Sequence, residues 1–358
     1  MMMNQVSQRR SLNEQGTAVV SAVLVVALVT ILAVGIQFAL RLQILRLDHF
    51  LTAEVLLNAA LSGESVALAK LSQRTLTPVA LGQLIVDQQP EVTIETRIED
   101  QEGLFNLNYL YDKTFCEGGE VSPMTRLMHA FFEQMLLSLP LKSTMTAAEA
   151  KNITQGIARW FCKAPSTTDR AAIGNEENQE NQGNEKNEDP AWAYRPAEQL
   201  MISVSELRLV PGISEEVYGS LLPWITAWSE HQIGFGIELS EPMVPRFKVA
   251  SMPAGLLAAL LGLDPPAVEP WIDSYQQLQN TEGIKRSIIE TVKQRYTVFI
   301  KPSGRVSVDN LFQKGIGVFF KMIANSRKNI ENPPVLRVST LVEIKGRPRI
   351  VWRSIDGG

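Results

Sequence analysis

Thr17-Ala-Val-Val-Ser-Ala-Val-Leu-Val-Val-Ala-Leu-Val-Thr-Ile-Leu-Ala-Val-Gly-Ile36, continued by Gln37-Phe-Ala-Leu40, is the stretch that decides the fold. Its 24 residues carry no charge, and a helix of that length crosses a hydrocarbon core of about 30 Å. A polar leader, residues 1–16, precedes it and ends Arg9-Arg10-Ser-Leu-Asn-Glu-Gln-Gly16. A secretory signal would have a shorter apolar core followed by a small-residue cleavage site. Here Arg41-Leu-Gln-Ile-Leu-Arg46-Leu-Asp48 follows instead, and helical spacing continues. Leu47, Leu51 and Val55 step by four and Leu61 and Leu68 lie seven apart, so one face stays apolar to about Lys70. No proline interrupts Met1 to Leu76. The pattern predicts one helix of about 55 residues, about 80 Å long, with its first half in lipid and its second half packed on a domain.

The rest of the 358 residues reads as an ordinary globular chain, 45% hydrophobic and 20% charged, with a formal charge of −4. Lys and Arg are scattered, which gives no electrostatic reason to expect nucleic acid. The charges flanking the apolar span are nearly balanced, Arg9 and Arg10 against Glu14 on one side and Arg41 and Arg46 on the other. Topology is therefore open on that criterion. Cys116 and Cys162 are an even pair. In an oxidising compartment such a pair closes a disulfide that contributes about 3–4 kcal/mol, and in a reducing one it leaves two buried thiols. The three histidines, His49, His129 and His231, have no ligand spacing with them.

Glu91-Val-Thr-Ile-Glu-Thr-Arg-Ile98 alternates as a half-buried strand, with Val92, Ile94 and Ile98 on one face. Helical spacing takes over from Met124 to Pro140 and from Thr146 to Phe161, where Thr146-Ala-Ala-Glu149 has the capping-box pattern. The stretch 166–189 is low-complexity and polar, a flexible insertion that cannot bury a core. Ser203-Val-Ser-Glu-Leu-Arg-Leu-Val-Pro-Gly-Ile-Ser-Glu-Glu-Val-Tyr-Gly-Ser-Leu-Leu-Pro223 reads as a helix, a Pro211-Gly212 turn and a second helix capped by Ser214. Pro253 to Leu263 is a short buried helix. Thr297–Ile300, Gly317–Phe320, Val335–Ile344 and Arg349–Trp352 read as strands, with a hairpin turn at Lys345-Gly346.

A polar leader, Gly16, and an uncharged helix that turns amphipathic resemble the amino terminus of type IV pilins and type II secretion pseudopilins. That resemblance implies cleavage by a prepilin peptidase between Gly16 and Thr17. It also puts Ser21 at the fifth mature position, where most members carry glutamate. A carboxylate within a membrane needs a partner, and a subunit at the tip has none above it. Among pseudopilins the large minor member, protein K, characteristically lacks the acid. Ile98-Glu-Asp-Gln-Glu-Gly-Leu-Phe-Asn106-Leu-Asn108-Tyr-Leu110 resembles that family's acidic turn with paired asparagines, and Ser203–Ile213 its S-E-L-hydrophobic-V-P-G segment. Family relatives bind calcium after a tryptophan and before a tyrosine. Between Trp160 and Tyr194 the candidates are Glu185, Glu188 and Asp189, although Arg159-Trp-Phe-Cys162 lacks the aspartates usual around the tryptophan.

The resemblance implies an α+β fold: a pilin-like long transmembrane helix on an antiparallel sheet, with a large inserted α-helical, SAM-like domain. On that plan the leader is 1–16 and the transmembrane half of the helix is 17–40. Residues 41–110 hold the rest of the helix and the first strand, 111–265 the insertion, and 266–358 the return to the sheet. The implied role is a minor pseudopilin at the tip of the secretion pseudopilus, anchored in the inner membrane with its body in the periplasm. Expected partners are the I- and J-type minor pseudopilins, the major pseudopilin, the prepilin peptidase and the inner-membrane assembly platform. One alternative is a membrane-anchored DNA-binding competence protein using Ser205–Tyr218 as a helix-hairpin-helix, although Glu215 and Glu216 would repel phosphate. Another is a plain single-pass periplasmic protein whose leader is never cut. The sequence shows no phosphate loop, metal-ligand quartet or nucleophile elbow that would mark an enzyme.

Overall fold

The computed structural model describes residues 3–72, 85–88, 91–162, 196–228, 244–277, 279–300, 307–313, 319–328, 335–345 and 347–357, the first sixteen of these as backbone alone. Helix α1 (Met3–Ser72) runs without a break through the leader, the apolar span and the amphipathic stretch. Its side chains are exposed from Val19 to Leu51, and burial of one face begins at Leu56.

That face is built for close approach. Leu56, Ala59, Ala60, Ala67 and Leu71 are buried at helical spacing. Gly63 lies among them, where an added Cβ would come within 2.5 Å of Thr96 Oγ1 and 2.7 Å of Ile94 Cγ2. The surface beneath is a five-stranded antiparallel sheet of order β1-β2-β7-β8-β9. Its strands are β1 (Ile85–Gln88), β2 (Val92–Asp100), β7 (Phe319–Lys328), β8 (Val335–Lys345) and β9 (Arg347–Gly357). Val92, Ile94 and Ile98 of β2 meet the helix with Phe320, Met322 and Ala324 of β7 and Val338 and Val342 of β8. β8 and β9 form a tight hairpin in which Lys345 pairs with Arg347.

Between β2 and β7 the chain builds a second body. Its elements are β3 (Phe105–Asn106), α2 (Lys113–Cys116), α3 (Pro123–Leu137), α4 (Ala147–Trp160), α5 (Glu215–Leu221), β4 (Ile225–Thr226) and β5 (Phe247–Lys248). These are followed by α6 (Ala254–Leu261), α7 (Pro265–Gln276), α8 (Thr281–Arg295), α9 (Thr297–Ile300) and β6 (Phe312–Gln313). One continuous core extends from Phe105 to Phe312. Its aromatic rings stack edge to face or tilted, with Phe131–Tyr296 centroids 4.7 Å apart and Phe105–Phe132 centroids 5.4 Å apart.

Two sequence expectations are corrected here. Thr297–Ile300 is helix rather than strand: Ile300 N donates to Tyr296 O at 3.2 Å and Thr297 Oγ1 to Lys293 O at 2.6 Å, so the turn of α8 carries on. Its β-branched residues fit a strand, but among the described residues it pairs with none. Residues 266–300 likewise do not return to the sheet. Val268, Ile272, Ile284, Ile288 and Val292 recur every three or four residues and feed the helical core, and the first returning strand is β7.

Candidate functional site: the exposed helix and its two anchor points

Among the described residues α1 is the one helix long and apolar enough to cross a membrane. Its large apolar side chains from Val19 to Phe38 are each more than half exposed. The polar hydroxyl of Thr30 is satisfied within the helix, donating to Val26 O at 2.8 Å. A surface this apolar needs lipid or protein around it.

The far end of α1 is pinned to the sheet by polar groups as well as by apolar ones. Glu64 is buried. Its Oε2 accepts from Thr340 Oγ1 and from Arg353 Nε, both at 3.0 Å, and Arg353 Nη2 donates to Oε1. Ser326 Oγ donates to Leu56 O at 2.7 Å. These bonds fix the helix along its axis, because a shift of one turn would leave a buried carboxylate unpaired.

The second anchor joins the sheet to the inserted body. Asp100, the last residue of β2, accepts from Glu102 N at 2.9 Å and from Ser251 Oγ at 2.7 Å. Glu102 pairs with Arg246 Nε at 2.7 Å. Burial pushes the Glu102 carboxyl up, Arg246 pulls it back, and Asp100 adds to the rise. At Gly103 a Cβ would strike Ser251 O at 2.4 Å, so only glycine lets the two segments meet. The asparagines complete the joint. Asn106 Oδ1 accepts from Asn108 N at 3.1 Å, and Asn106 Nδ2 donates to Trp228 O at 2.8 Å. Asn108 Oδ1 accepts from Met201 N at 2.8 Å, and its Nδ2 donates to Met201 O and Trp228 O, both at 3.0 Å. Their role is to tie three distant segments together. A mixed cleft of about 590 Å3 opens beside this joint, lined by Arg97, Glu99, Leu222, Pro223 and Met252 among others.

The Ser203–Pro223 segment is internally satisfied. Ser203 and Glu206 form a capping box on a 3-10 turn at Val204–Leu209, and Gly212 takes φ +86° in the turn that follows. Ser214 caps α5, accepting from Val217 N at 3.2 Å. Glu216 Oε1 accepts from Lys142 N at 2.6 Å, while Arg208 is held by Glu215 at 2.6 Å and stacks 4.4 Å over Tyr218. The acids and the cation of this turn thus serve the fold, and phosphate would face Glu215 and Glu216.

The family profile described as type II secretion system (T2SS), protein K matches residues 103–230, a span that begins at the Gly103 contact and takes in the paired asparagines and the Ser203–Ile213 segment. A type II secretion system protein K of Pseudomonas aeruginosa is 29% identical over 277 residues, covering 73% of this chain and 72% of that protein. The fold is similar to that in the crystal structure of the GspK-GspI-GspJ complex from the enterotoxigenic Escherichia coli type 2 secretion system. That match has a TM-score of 0.54 and 15% identity, and covers 87% of this chain and all of the other. Over residues 103–230 and along most of its length the chain is thus similar to type II secretion system protein K.

Gly16, Thr17 and Ser21 all lie in the continuous α1 backbone, far from the sheet. Cys116, at the end of α2, is bonded to Cys162 just past α4, with Cα atoms 5.0 Å apart. Glu185, Glu188 and Asp189, the calcium candidates, lie outside the described residues together with the whole 166–189 insertion. Among the described residues no three His, Cys, Asp or Glu side chains are grouped to hold a metal ion. Sequence reasoning passed over Glu64 and Arg353. The available clue was an acid on the same helical face as Ala60 and Ala67, where water is absent.

Proposed function

We propose that this protein is the minor pseudopilin at the tip of the type II secretion pseudopilus, where it starts or caps assembly with I- and J-type minor pseudopilins. The observation that carries the reading is α1 itself. Among the described residues its lipid-length half has no partner surface, and its other half is bolted to a folded body. Such a helix is stored in a membrane and then passed to neighbouring helices. Similarity to type II secretion system protein K supports the secretion machine as the setting. The fold-level match to a protein crystallised as a GspK-GspI-GspJ complex supports those two partners. In this reading the span lies in the inner membrane and the body in the periplasm, an oxidising space that suits the Cys116–Cys162 bond. Prepilin peptidase cuts after Gly16. Ser21 then replaces the acid that would need a neighbour above it. The role is assembly rather than chemistry.

The test is the mass and amino-terminal sequence of the protein from cells with and without prepilin peptidase. A start at Thr17 that depends on the peptidase is expected. A Met1 start in both strains would overturn the reading and leave the span as a plain anchor.

A further inference from the structure

The cleft beside the second anchor lies between two walls held at a fixed distance. Val92, Ile94 and Ile98 of β2 meet α1. Alternation therefore turns Arg97 and Glu99 to the opposite face of the sheet, where they line the cleft. The other wall belongs to the inserted body and carries Leu222, Met252 and Gln276. The Asp100–Ser251 bond of 2.7 Å and the close approach of Gly103 to Ser251 O join the two walls. The space of about 590 Å3 is thus formed before a ligand arrives. Clefts of about 300–1,000 Å3 with an apolar lining and a few fixed polar groups are the usual form of a ligand site.

Three groups in the lining have unused capacity. Arg97 Nε lies 3.2 Å from Glu99 Oε1, which leaves both Nη groups of the guanidinium without a partner among the described residues. Gln276 Nε2 donates to Ala250 O at 3.0 Å, which fixes the amide and leaves Oε1 as an open acceptor. Leu222 is 44% exposed although its backbone is tied down, its N donating to Tyr218 O at 3.1 Å. With Leu104 and Met252 it makes the aliphatic part of the lining. A fork of N–H donors calls for a carboxylate, a fixed carbonyl oxygen for an N–H, and an aliphatic wall for an aliphatic side chain. The last residue of a polypeptide carries all three on one unit. A side-chain acid would place the charge and the aliphatic group on different residues. A cation finds less here, because Glu99 is already paired with Arg97 and Asp100 with Glu102 N and Ser251 Oγ. Capture of a terminal carboxylate is a recurring mode of peptide recognition.

We propose that this cleft captures the free carboxyl terminus of a partner polypeptide that ends in an aliphatic residue. Arg97 holds the terminal carboxylate, Gln276 Oε1 accepts from the last amide N–H, and the final side chain lies on Leu104, Leu222 and Met252. Glu99, bonded at Nε, keeps the guanidinium in place for the incoming acid. The test uses the full chain in lipid nanodiscs and a fluorescent pentapeptide ending in leucine with its carboxylate free, followed by fluorescence anisotropy. The same peptide with an amidated end is the control. Saturable binding of the free acid is expected, with the amide weaker by about tenfold, the loss that one charge-assisted hydrogen bond represents. Arg97→Met should weaken the free acid by a similar factor and leave the amide unchanged, which a merely structural role for Arg97 would not do. Leu222→Asp should weaken both peptides. Both side chains are exposed, so the unfolding temperature of each variant should match the parent. Absence of saturable binding, equal binding of acid and amide, or an Arg97→Met variant that binds the free acid as the parent does would each overturn the proposal. None of these outcomes touches the tip-assembly reading, which rests on α1.

Discussion

The two bodies of this protein are held together in different ways. The inserted body closes on one aromatic core from Phe105 to Phe312. The sheet body has three small apolar clusters under α1, separated by the bonds of Ser326, Glu64 and Thr340. A continuous core tolerates no particular axial order, only volume and pattern. Small clusters interleaved with charge-assisted bonds fix a register. The difference teaches that the insertion is built for stability, and the seam for holding a long helix at one height.

Three substitutions probe that contrast, in order of expected effect. Phe132→Ala should cost about 3–5 kcal/mol, since the ring is fully buried against Phe105. Chemical denaturation should show the loss in the inserted body, and a loss confined to the sheet would break the distinction. Arg353→Ala should cost about 2–3 kcal/mol, below the ~3–5 of a fully buried pair because the guanidinium is partly exposed. Hydrogen exchange should accelerate at residues 56–72 and leave α3 unchanged, and equal acceleration in both bodies would argue against a separate seam. The smallest effect concerns pH. Burial holds the His129 imidazole below its ordinary 6.5, although Leu110 O, accepting from its ring at 3.2 Å, and Asp112 pull it back up. The unfolded chain therefore takes up the proton first, so stability falls as pH drops through 6.5 toward the lower folded value. His129→Phe should flatten that slope in thermal unfolding between pH 7 and 5. An unaltered slope would assign it to other groups, though not to Asp112, whose stabilisation is lost only as pH falls below its ordinary 3.8. Burial raises the Asp112 carboxyl, but the Ser122 and Phe115 amides more than offset this and hold it low.

Much of this was legible because it is periodic. The uncharged run and the leucine spacing announced α1, Thr146 and Glu149 announced the capping box, and alternation announced β2. Thr297–Ile300 was misread because a four-residue run of β-branched and aromatic residues says nothing about whether an edge is nearby. The boundary near residue 266 was misplaced for a related reason. α7 contains Pro270 and α8 is strongly polar, so their narrow apolar faces are outweighed by what surrounds them. The close spacing of Asn106 and Asn108 makes only the Asn106–Asn108 bond legible. Their bonds to Met201 and Trp228 cross about a hundred residues of chain, a distance over which side-chain type carries no pairing information. The Glu64–Arg353 pair is illegible for the same reason, being 289 residues apart.

The unbroken course of α1 makes it a strut. With no proline and no described break from Met3 to Ser72, it has no joint at which to bend or absorb load. Residues 41–55 lie outside both the uncharged span and the buried seam, and at 1.5 Å each they hold the folded body about 22 Å clear of the span. An axial push or pull on the lower half is therefore delivered undamped to the Glu64 bolt, and the body rises or falls by the same distance. In the proposed tip role, extension of a filament beneath this subunit would become displacement of its head.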